Sequence, residues 1–138
     1  MKDILEVLPK RGELSNPKCP AREIVDSMTG LWGALVLRSL RKKEIVRFAE
    51  LRRDVGGISE KMLSQTLKRL ERSGFVERKS YPEVPPRVEY RLTKFGRESS
   101  VIINQLCDFI EDNMRAIVKH QLNYDKQDQS RPWQKPRR

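Results

Sequence analysis

Apolar residues recur every three to four positions in several stretches of the chain, and glycine or proline separates these stretches. Residues 1–18 lack the pattern and predict a short helical start at most, followed by an irregular arm. A helix is predicted from Pro20 to Gly30, because proline suits a first helical position and glycine ends helices. Leu31 to Leu40 is apolar on most sides, which predicts a buried central helix.

The middle of the chain predicts two helices joined by a tight turn. Residues 48–55 form a compact amphipathic helix that two glycines stop, after a short extended stretch. Ser59 then supplies an N-cap for a helix that reaches about Ser73. Gly74 follows at the position where chains leave a helix through positive φ. Two helices with a glycine-containing turn between them predict a helix-turn-helix.

The second of these helices has one apolar and one polar face at 100° per residue. The apolar face comprises Met62, Leu63, Thr66, Leu67 and Leu70, and the polar face comprises Lys61, Ser64, Gln65, Lys68 and Arg72. Glu60 and Glu71 fall at the flanks, so the polar face carries no carboxylate. Its side chains can donate to phosphates and to base edges, whereas a merely solvated face usually mixes both signs. The pattern therefore favours a recognition helix over an ordinary surface helix.

The sequence after Gly74 predicts a strand, a proline-rich tip and a second strand. Apolar and polar positions alternate from Arg87 to Leu92, which is the period of a half-buried antiparallel ribbon. A ribbon directly after a recognition helix indicates a wing. Arg78, Lys79 and Arg87 are candidates for contacts with phosphate or the minor groove. For each of them, an exposed place on an ordinary hairpin is an equal alternative.

Thr93 begins the last predicted helix. Its apolar stripe is too wide for one small domain to cover, and we expect the same helix of a second subunit to pair with it. The predicted dimer contacts are Ile103, Leu106, Ile110, Asn113 and Ile117, with Asn113 setting the register. A helix that folds back on its own domain, giving a monomer, is the alternative. The predicted organisation is an arm at 1–18, one domain at 19–122 and a flexible basic tail at 123–138.

Charge identifies the class of partner. The chain has 29 Lys and Arg against 19 Asp and Glu, a net charge of +10, which indicates a polyanion. Residues 38–53 hold seven basic and two acidic side chains, with Arg47 among the former. No apolar run approaches the roughly 20 residues that cross a bilayer, and the start lacks a signal-peptide core. We therefore expect a soluble cytoplasmic protein without a membrane partner.

Two function classes compete with DNA binding. A protein-interaction winged helix would use its basic face only for solubility, and strongly salt-dependent DNA affinity would separate the two. An enzyme is disfavoured, because the chain has no glycine-rich phosphate loop and too few cysteines and histidines for a metal site. We expect no metal and no cofactor. Cys19 as a peroxidatic thiol is the remaining enzymatic alternative.

Ordered sequence blocks resemble one family of bacterial and archaeal regulators. The blocks are Cys19-Pro20, Gly30-Leu31-Trp32, Arg47-Phe48-Ala49-Glu50-Leu51, residues 57–63, residues 70–78 and Val84-Pro85-Pro86-Arg87-Val88-Glu89-Tyr90-Arg91-Leu92-Thr93. They resemble the HxlR-type regulators of the MarR-like superfamily. The resemblance implies a mainly α fold with a small antiparallel β wing, a winged helix-turn-helix with N- and C-terminal dimerisation helices. It also implies a homodimer that binds an inverted repeat in double-stranded DNA, and we expect repression.

The sequence pattern and the family resemblance together predict DNA contacts for ten residues. Ser59, Lys61, Ser64, Gln65 and Lys68 are predicted to meet the major groove, and Arg47, Arg72, Arg78, Lys79 and Arg87 to hold phosphate or reach the minor groove. Several proteins of the family sense oxidants or electrophiles through a cysteine matched by Cys19. A helix start beside Lys18 and Arg22 favours a reactive thiolate there, and a small helix-boundary residue is the alternative. For Cys107 we predict a buried, inert thiol.

Overall fold

The computed structural model describes residues 3–130. Its helices are α1 (Ile4–Val7), α2 (Ala21–Thr29), α3 (Leu31–Lys42), α4 (Phe48–Asp54), α5 (Glu60–Arg72), α6 (Lys94–Asp112) and α7 (Met114–Ser130), and its strands are β1 (Val46–Arg47), β2 (Val76–Tyr81) and β3 (Arg87–Leu92). This is the predicted mainly α architecture with a small antiparallel sheet. The chain divides into two compact units, Met1–Ile103 and Asn104–Arg138, which we call the winged-helix unit and the C-terminal unit.

The sheet has the order β1-β3-β2, and both pairings are antiparallel. Val46 lies opposite Tyr90, and Val76 lies opposite Leu92. All four side chains are buried, because alternate residues of each strand point to the same face of a sheet. That face therefore closes one side of the core, as the alternation in the sequence predicts.

The core of the winged-helix unit lies between the sheet and helices α3, α4 and α5. Its most deeply buried large side chains are Val36, Leu37, Leu40, Leu51, Leu63, Leu67 and Leu70. Burial of each leucine stabilises the fold by about 1.5–3 kcal/mol relative to an exposed position. Helix α3 is the buried central helix that the sequence predicts, although Leu31 at its start is exposed.

The base of the wing depends on the residues that flank it. Gly74 has φ 80°, the left-handed conformation predicted for the exit from α5. The Thr93 hydroxyl donates to the carbonyl of Gly74 and accepts from the backbone N–H of Gly96 at 3.1 Å. Thr93 therefore joins the two ends of the wing and caps the start of α6.

Two expectations about the C-terminal part of the chain need correction. The predicted helix is broken at Asn113, between α6 and α7. The predicted flexible tail is wrong over residues 123–130, which continue α7 to Ser130. Polar residues such as Lys and Gln are good helix formers, and no glycine or proline interrupts this segment. Residues 131–138 lie outside the described part of the chain.

Ile103 is a further correction, because it was predicted to contact a second subunit. Its side chain is only 5% exposed within the single chain. Gly96 and Ser100, which precede it by seven and three residues, are also buried, so these positions form the inward face of α6. None of the described helices is long and apolar enough to cross a membrane.

Candidate nucleic-acid interface

The outward face of α5 carries the predicted recognition residues. Lys61, Gln65, Lys68 and Arg72 are exposed, opposite the buried leucines of the same helix. Ser64 is half-buried at one edge of this face. Met62, assigned to the packing face by its spacing, is 38% exposed and lies at the other edge. The outward face thus has three cations and one amide.

The start of α5 is held by two local interactions. The Ser59 hydroxyl oxygen accepts a hydrogen bond from the backbone N–H of Met62 at 3.0 Å, as an N-cap does. Arg52 of α4 pairs with Glu60 at 3.0 Å between Nη1 and Oε1. This pair neutralises the carboxylate nearest to the start of the outward face, and it ties α4 to α5 across the turn.

Two ion pairs connect α5 to α2. Arg69 lies 3.2 Å from the carboxylate of Asp26, and Arg72 lies 3.4 Å from that of Glu23. All four side chains are exposed, and exposed pairs of this kind contribute only about 0–1 kcal/mol. Arg72 can therefore exchange Glu23 for a phosphate at little cost.

A cleft of about 350 Å³ lies between α5 and the wing. Its charged and hydroxyl lining comes from Ser64, Lys68 and Glu71 of α5 and from Arg78 of β2. Glu71 therefore borders the same cleft as Lys68 and Arg78, at the flank predicted from its spacing. The helix and the wing form one basic surface at this cleft.

Arg47 lies at the end of β1 and immediately precedes α4, opposite Glu89 of β3. Its side chain is exposed. Nearby, Lys43 donates a hydrogen bond to Glu50 at 3.0 Å. This hydrogen bond, and next the charge of Lys43, hold the pKa of Glu50 below its usual value. Lys43 thus has an ionic partner within its own domain.

The outer face of the wing consists of paired charges. Arg91 donates to Glu77, and this hydrogen bond raises the pKa of the arginine. The Lys79 ammonium lies 4.9 Å from the centre of the Tyr81 ring and remains exposed. Arg87, by contrast, is half-buried and lies against the Tyr81 ring. The sequence analysis assigned Arg87 to DNA and did not identify its ionic partners. The available signal was the alternation of acidic and basic side chains at positions 83, 87 and 89.

Cys19 lies between the arm and α2, next to Pro20, the N-cap of that helix. Its Sγ accepts a hydrogen bond from the backbone N–H of Glu13 at 3.4 Å, and the residue is half-buried. The Arg22 side chain donates to the carbonyls of Leu14 and Ser15 at 2.9 and 3.4 Å, so it fastens the arm to α2. The arm therefore folds around the thiol. Cys107 is half-buried rather than fully buried as predicted.

The C-terminal unit exposes a row of apolar side chains. Those exposed are Leu106, Phe109, Ile110, Met114, Val118, Leu122 and Tyr124, and Ile117 is half-buried. Asn113, the predicted register-setting residue, is exposed and donates to the carbonyl of Phe109 at 2.8 Å. Val118 and Leu122 were missed as contacts, although they continue the four-residue spacing from Met114. In the described residues 3–130, no group of His, Cys, Asp and Glu could hold a metal ion.

Comparison with known proteins decides the family. Residues 27–118 match the family model described as HxlR-like helix-turn-helix. The chain belongs to the HxlR family. This HxlR-family protein is 46% identical over 109 residues to the HTH-type transcriptional regulator YtfH of Escherichia coli K12, a match that covers 79% of this chain and 86% of YtfH.

Solved structures agree with this assignment. The protein described as transcriptional regulator ytfH from Salmonella typhimurium matches with a TM-score of 0.77 and 45% identity, over 80% of this chain and 98% of that one. The redox regulator HypR in its oxidised form matches with a TM-score of 0.61 and 37% identity, over 69% and 97% of the two chains. The HxlR-family protein is therefore a winged helix-turn-helix transcriptional regulator that binds DNA.

Proposed function

We propose that this HxlR-family regulator is a homodimeric repressor that binds an inverted-repeat operator, with one α5 in each half-site. The outward face of α5 carries the proposal: Lys61, Gln65 and Lys68 are exposed, while Glu60 is paired with Arg52. An amide on this face can read adenine in the major groove, and the lysines can bind guanine or phosphate. Ser59 and Ser64 stand at its edges as further donors.

The wing and the start of α4 supply contacts without sequence preference. Arg78 borders the cleft beside α5, and Lys79 is exposed on the adjacent position of β2. We assign both to phosphate or the minor groove. Arg47, exposed at the start of α4, and Arg72, at the end of α5, are assigned to phosphate. Such contacts position the protein on the duplex, while α5 supplies the specificity.

The apolar row of the C-terminal unit supports the dimer. Leu106, Ile110 and Ile117 would pack against the same residues of a second copy, together with Asn113. A soluble protein gains by covering exposed apolar surface of this kind, and twofold pairing matches an inverted repeat. Repression follows because a small dimer of this type acts most simply by blocking polymerase. The site of action is then the cytoplasm, where bacterial and archaeal DNA lies.

Cys19 is proposed as the sensor of a small oxidant or electrophile. The arm contacts its Sγ through the backbone N–H of Glu13, so modification of the sulfur would break that hydrogen bond and displace the arm. HypR, a related protein, is named as a redox regulator. Diamide would oxidise the Cys19 thiols of two copies to one disulfide and would itself be reduced to the hydrazine by the two hydrogens they lose. The wild-type protein should therefore lose DNA affinity on treatment with diamide, and Cys19→Ser should not. Cys107→Ser, the matched control, should respond like the wild type; a response that Cys107→Ser abolishes would transfer the role to that thiol.

Selection from random duplex DNA tests the proposal directly. The wild type should recover a twofold inverted repeat. Gln65→Ala should relax base preference at one position in each half-site, at a cost of about 1–3 kcal/mol in discrimination. Lys68→Ala should weaken binding to all sequences, with Lys119→Ala as a control that removes the same charge from α7. Recovery of no motif would favour the protein-interaction module, and an unchanged Gln65→Ala profile would refute the assignment of this face.

A further inference from the structure

Arg87 occupies the first position of β3, at the point where the chain returns from the wing tip. Its partner in the strand register is Tyr81, the last residue of β2. The guanidinium carbon lies 4.0 Å from the centre of the Tyr81 ring, within the range of a cation–π contact. The side chain therefore crosses the ribbon and rests on the aromatic ring instead of extending from the wing.

Two carboxylates hold the same guanidinium from different parts of the wing. Nη2 of Arg87 lies 3.3 Å from Glu83 in the tip, and Nε lies 3.6 Å from Glu89 on β3. The Tyr81 hydroxyl donates to the other oxygen of Glu89 at 3.2 Å. Arg87, Tyr81, Glu83 and Glu89 form a connected set, which we call the wing clamp, and it joins the tip to both strands. Lys79 approaches the same ring from a longer distance, 4.9 Å.

Burial distinguishes Arg87 from the other cations of the wing. Its side chain is 29% exposed and that of Glu89 is 15% exposed, whereas Arg78 and Lys79 are exposed. The Nε atom of Arg87 is out of contact with solvent and makes no hydrogen bond among the described residues. A move to phosphate would leave the largely covered Glu89 carboxylate with the Tyr81 hydroxyl but without the Arg87 guanidinium, which is unfavourable for a carboxylate.

We propose that Arg87 is a positioning residue, which holds the wing tip on its strands, and that Arg78 and Lys79 make the wing's contacts with DNA. The proposal rests on the DNA-binding mode given above. It predicts that the planar, stacked guanidinium matters at position 87, whereas positive charge alone matters at position 79. Lysine keeps the positive charge but lacks the planar guanidinium and its forked set of hydrogen-bond donors. Arg87→Lys therefore removes the stacking and keeps the charge.

The first test measures affinity for the selected duplex against potassium chloride concentration. Each phosphate contact that is removed lowers the magnitude of the slope of log K against log salt by about 1. Lys79→Gln should do this. Arg87→Lys should weaken binding by about three- to tenfold, the loss expected from one stacked and charge-assisted arrangement, and Arg87→Gln should weaken it without lowering the slope, because no phosphate contact is removed. Arg87→Lys with wild-type affinity would overturn the proposal.

The second test examines the wing without DNA. Hydrogen exchange of the whole protein, followed in peptides covering residues 80–88, should be faster in Arg87→Lys than in the wild type. Glu83→Gln, which changes an exposed residue of the wing clamp, should show the same increase, and Arg78→Gln, which removes an exposed cation outside the wing clamp, should show none. Unchanged exchange in both clamp variants would overturn the proposal. A wild type that fails to bind any duplex would instead refute the DNA-binding mode, which keeps the two failures distinct.

Discussion

Single residues govern how closely the segments of this regulator approach one another. A β-carbon on Gly96 would lie 2.0 Å from the carbonyl oxygen of Phe75, and one on Gly33 would lie 1.9 Å from that of Ser27. Backbone atoms at these points cannot move aside as a flexible side chain can. The first turn of α6 and the first turn of α3 therefore require glycine for packing. Gly56, in the turn before α5, has no atom within 4 Å of the same position.

Gly96→Ala should destabilise the protein by about 1–3 kcal/mol, because the added methyl group forces α6 away from the backbone of Phe75. Gly56→Ala adds the same group in open space and should be neutral or stabilising by up to about 1 kcal/mol. Thermal and urea unfolding of the two variants measure the difference. Equal stability of Gly96→Ala and Gly56→Ala would show that the close approach to Phe75 is not present in solution.

At the scale of the element, interactions at the ends and along the sides of α5 hold the helix in position. Ser59 caps the start, Gly74 turns the chain at the exit, and Arg69 and Arg72 pair with α2. The outward face itself contributes nothing to the core, which leaves its side chains available for DNA.

Ser59→Ala should cost about 1 kcal/mol of stability, because the backbone N–H of Met62 loses its acceptor at the helix start. Ser59→Asp keeps an acceptor at the N-cap and should retain most of the stability. The free energy of unfolding in urea distinguishes the two. A destabilised Ser59→Asp would mean that the serine acts through some contact other than the cap.

At the scale of the whole molecule, the described part of the C-terminal unit has no buried hydrophobic core of its own. Its large apolar side chains are exposed or half-buried within the described residues. Isolated helices of this length have little stability of their own, and burial of an amphipathic face is what usually stabilises them. The exposed apolar row is therefore the feature that favours a second copy.

Leu106→Asp should dissociate the proposed dimer, because it places a charge within the apolar row, where Leu106 is 49% exposed in the single chain. Gln105→Asp adds the same charge to the neighbouring exposed position and should leave the dimer intact. Sedimentation equilibrium reports the mass of each variant, with circular dichroism to confirm folding. A monomeric wild type, or a dimeric Leu106→Asp, would refute this interface.

Much of the fold was predictable from the sequence because its signals are local. The cap at Ser59, the exit at Gly74 and the alternation in β3 each depend on a few neighbouring residues, and the structure confirms all three. The two faces of α5 were predictable for the same reason. Residue spacing places a side chain on a face, and only Met62 was assigned to the wrong side, at an edge where the boundary is gradual.

Only the tertiary structure decided which face of α6 is inward, that residues 123–130 are helical and what Arg87 touches. Ile103 and Leu106 share one apolar pattern, and packing of the first turns of α6 buries the former while the latter stays exposed. A polar sequence is compatible with both helix and coil, so the end of α7 could not be assigned from composition. The partners of Arg87 depend on strand register, which joins residues that sequence reading treats separately.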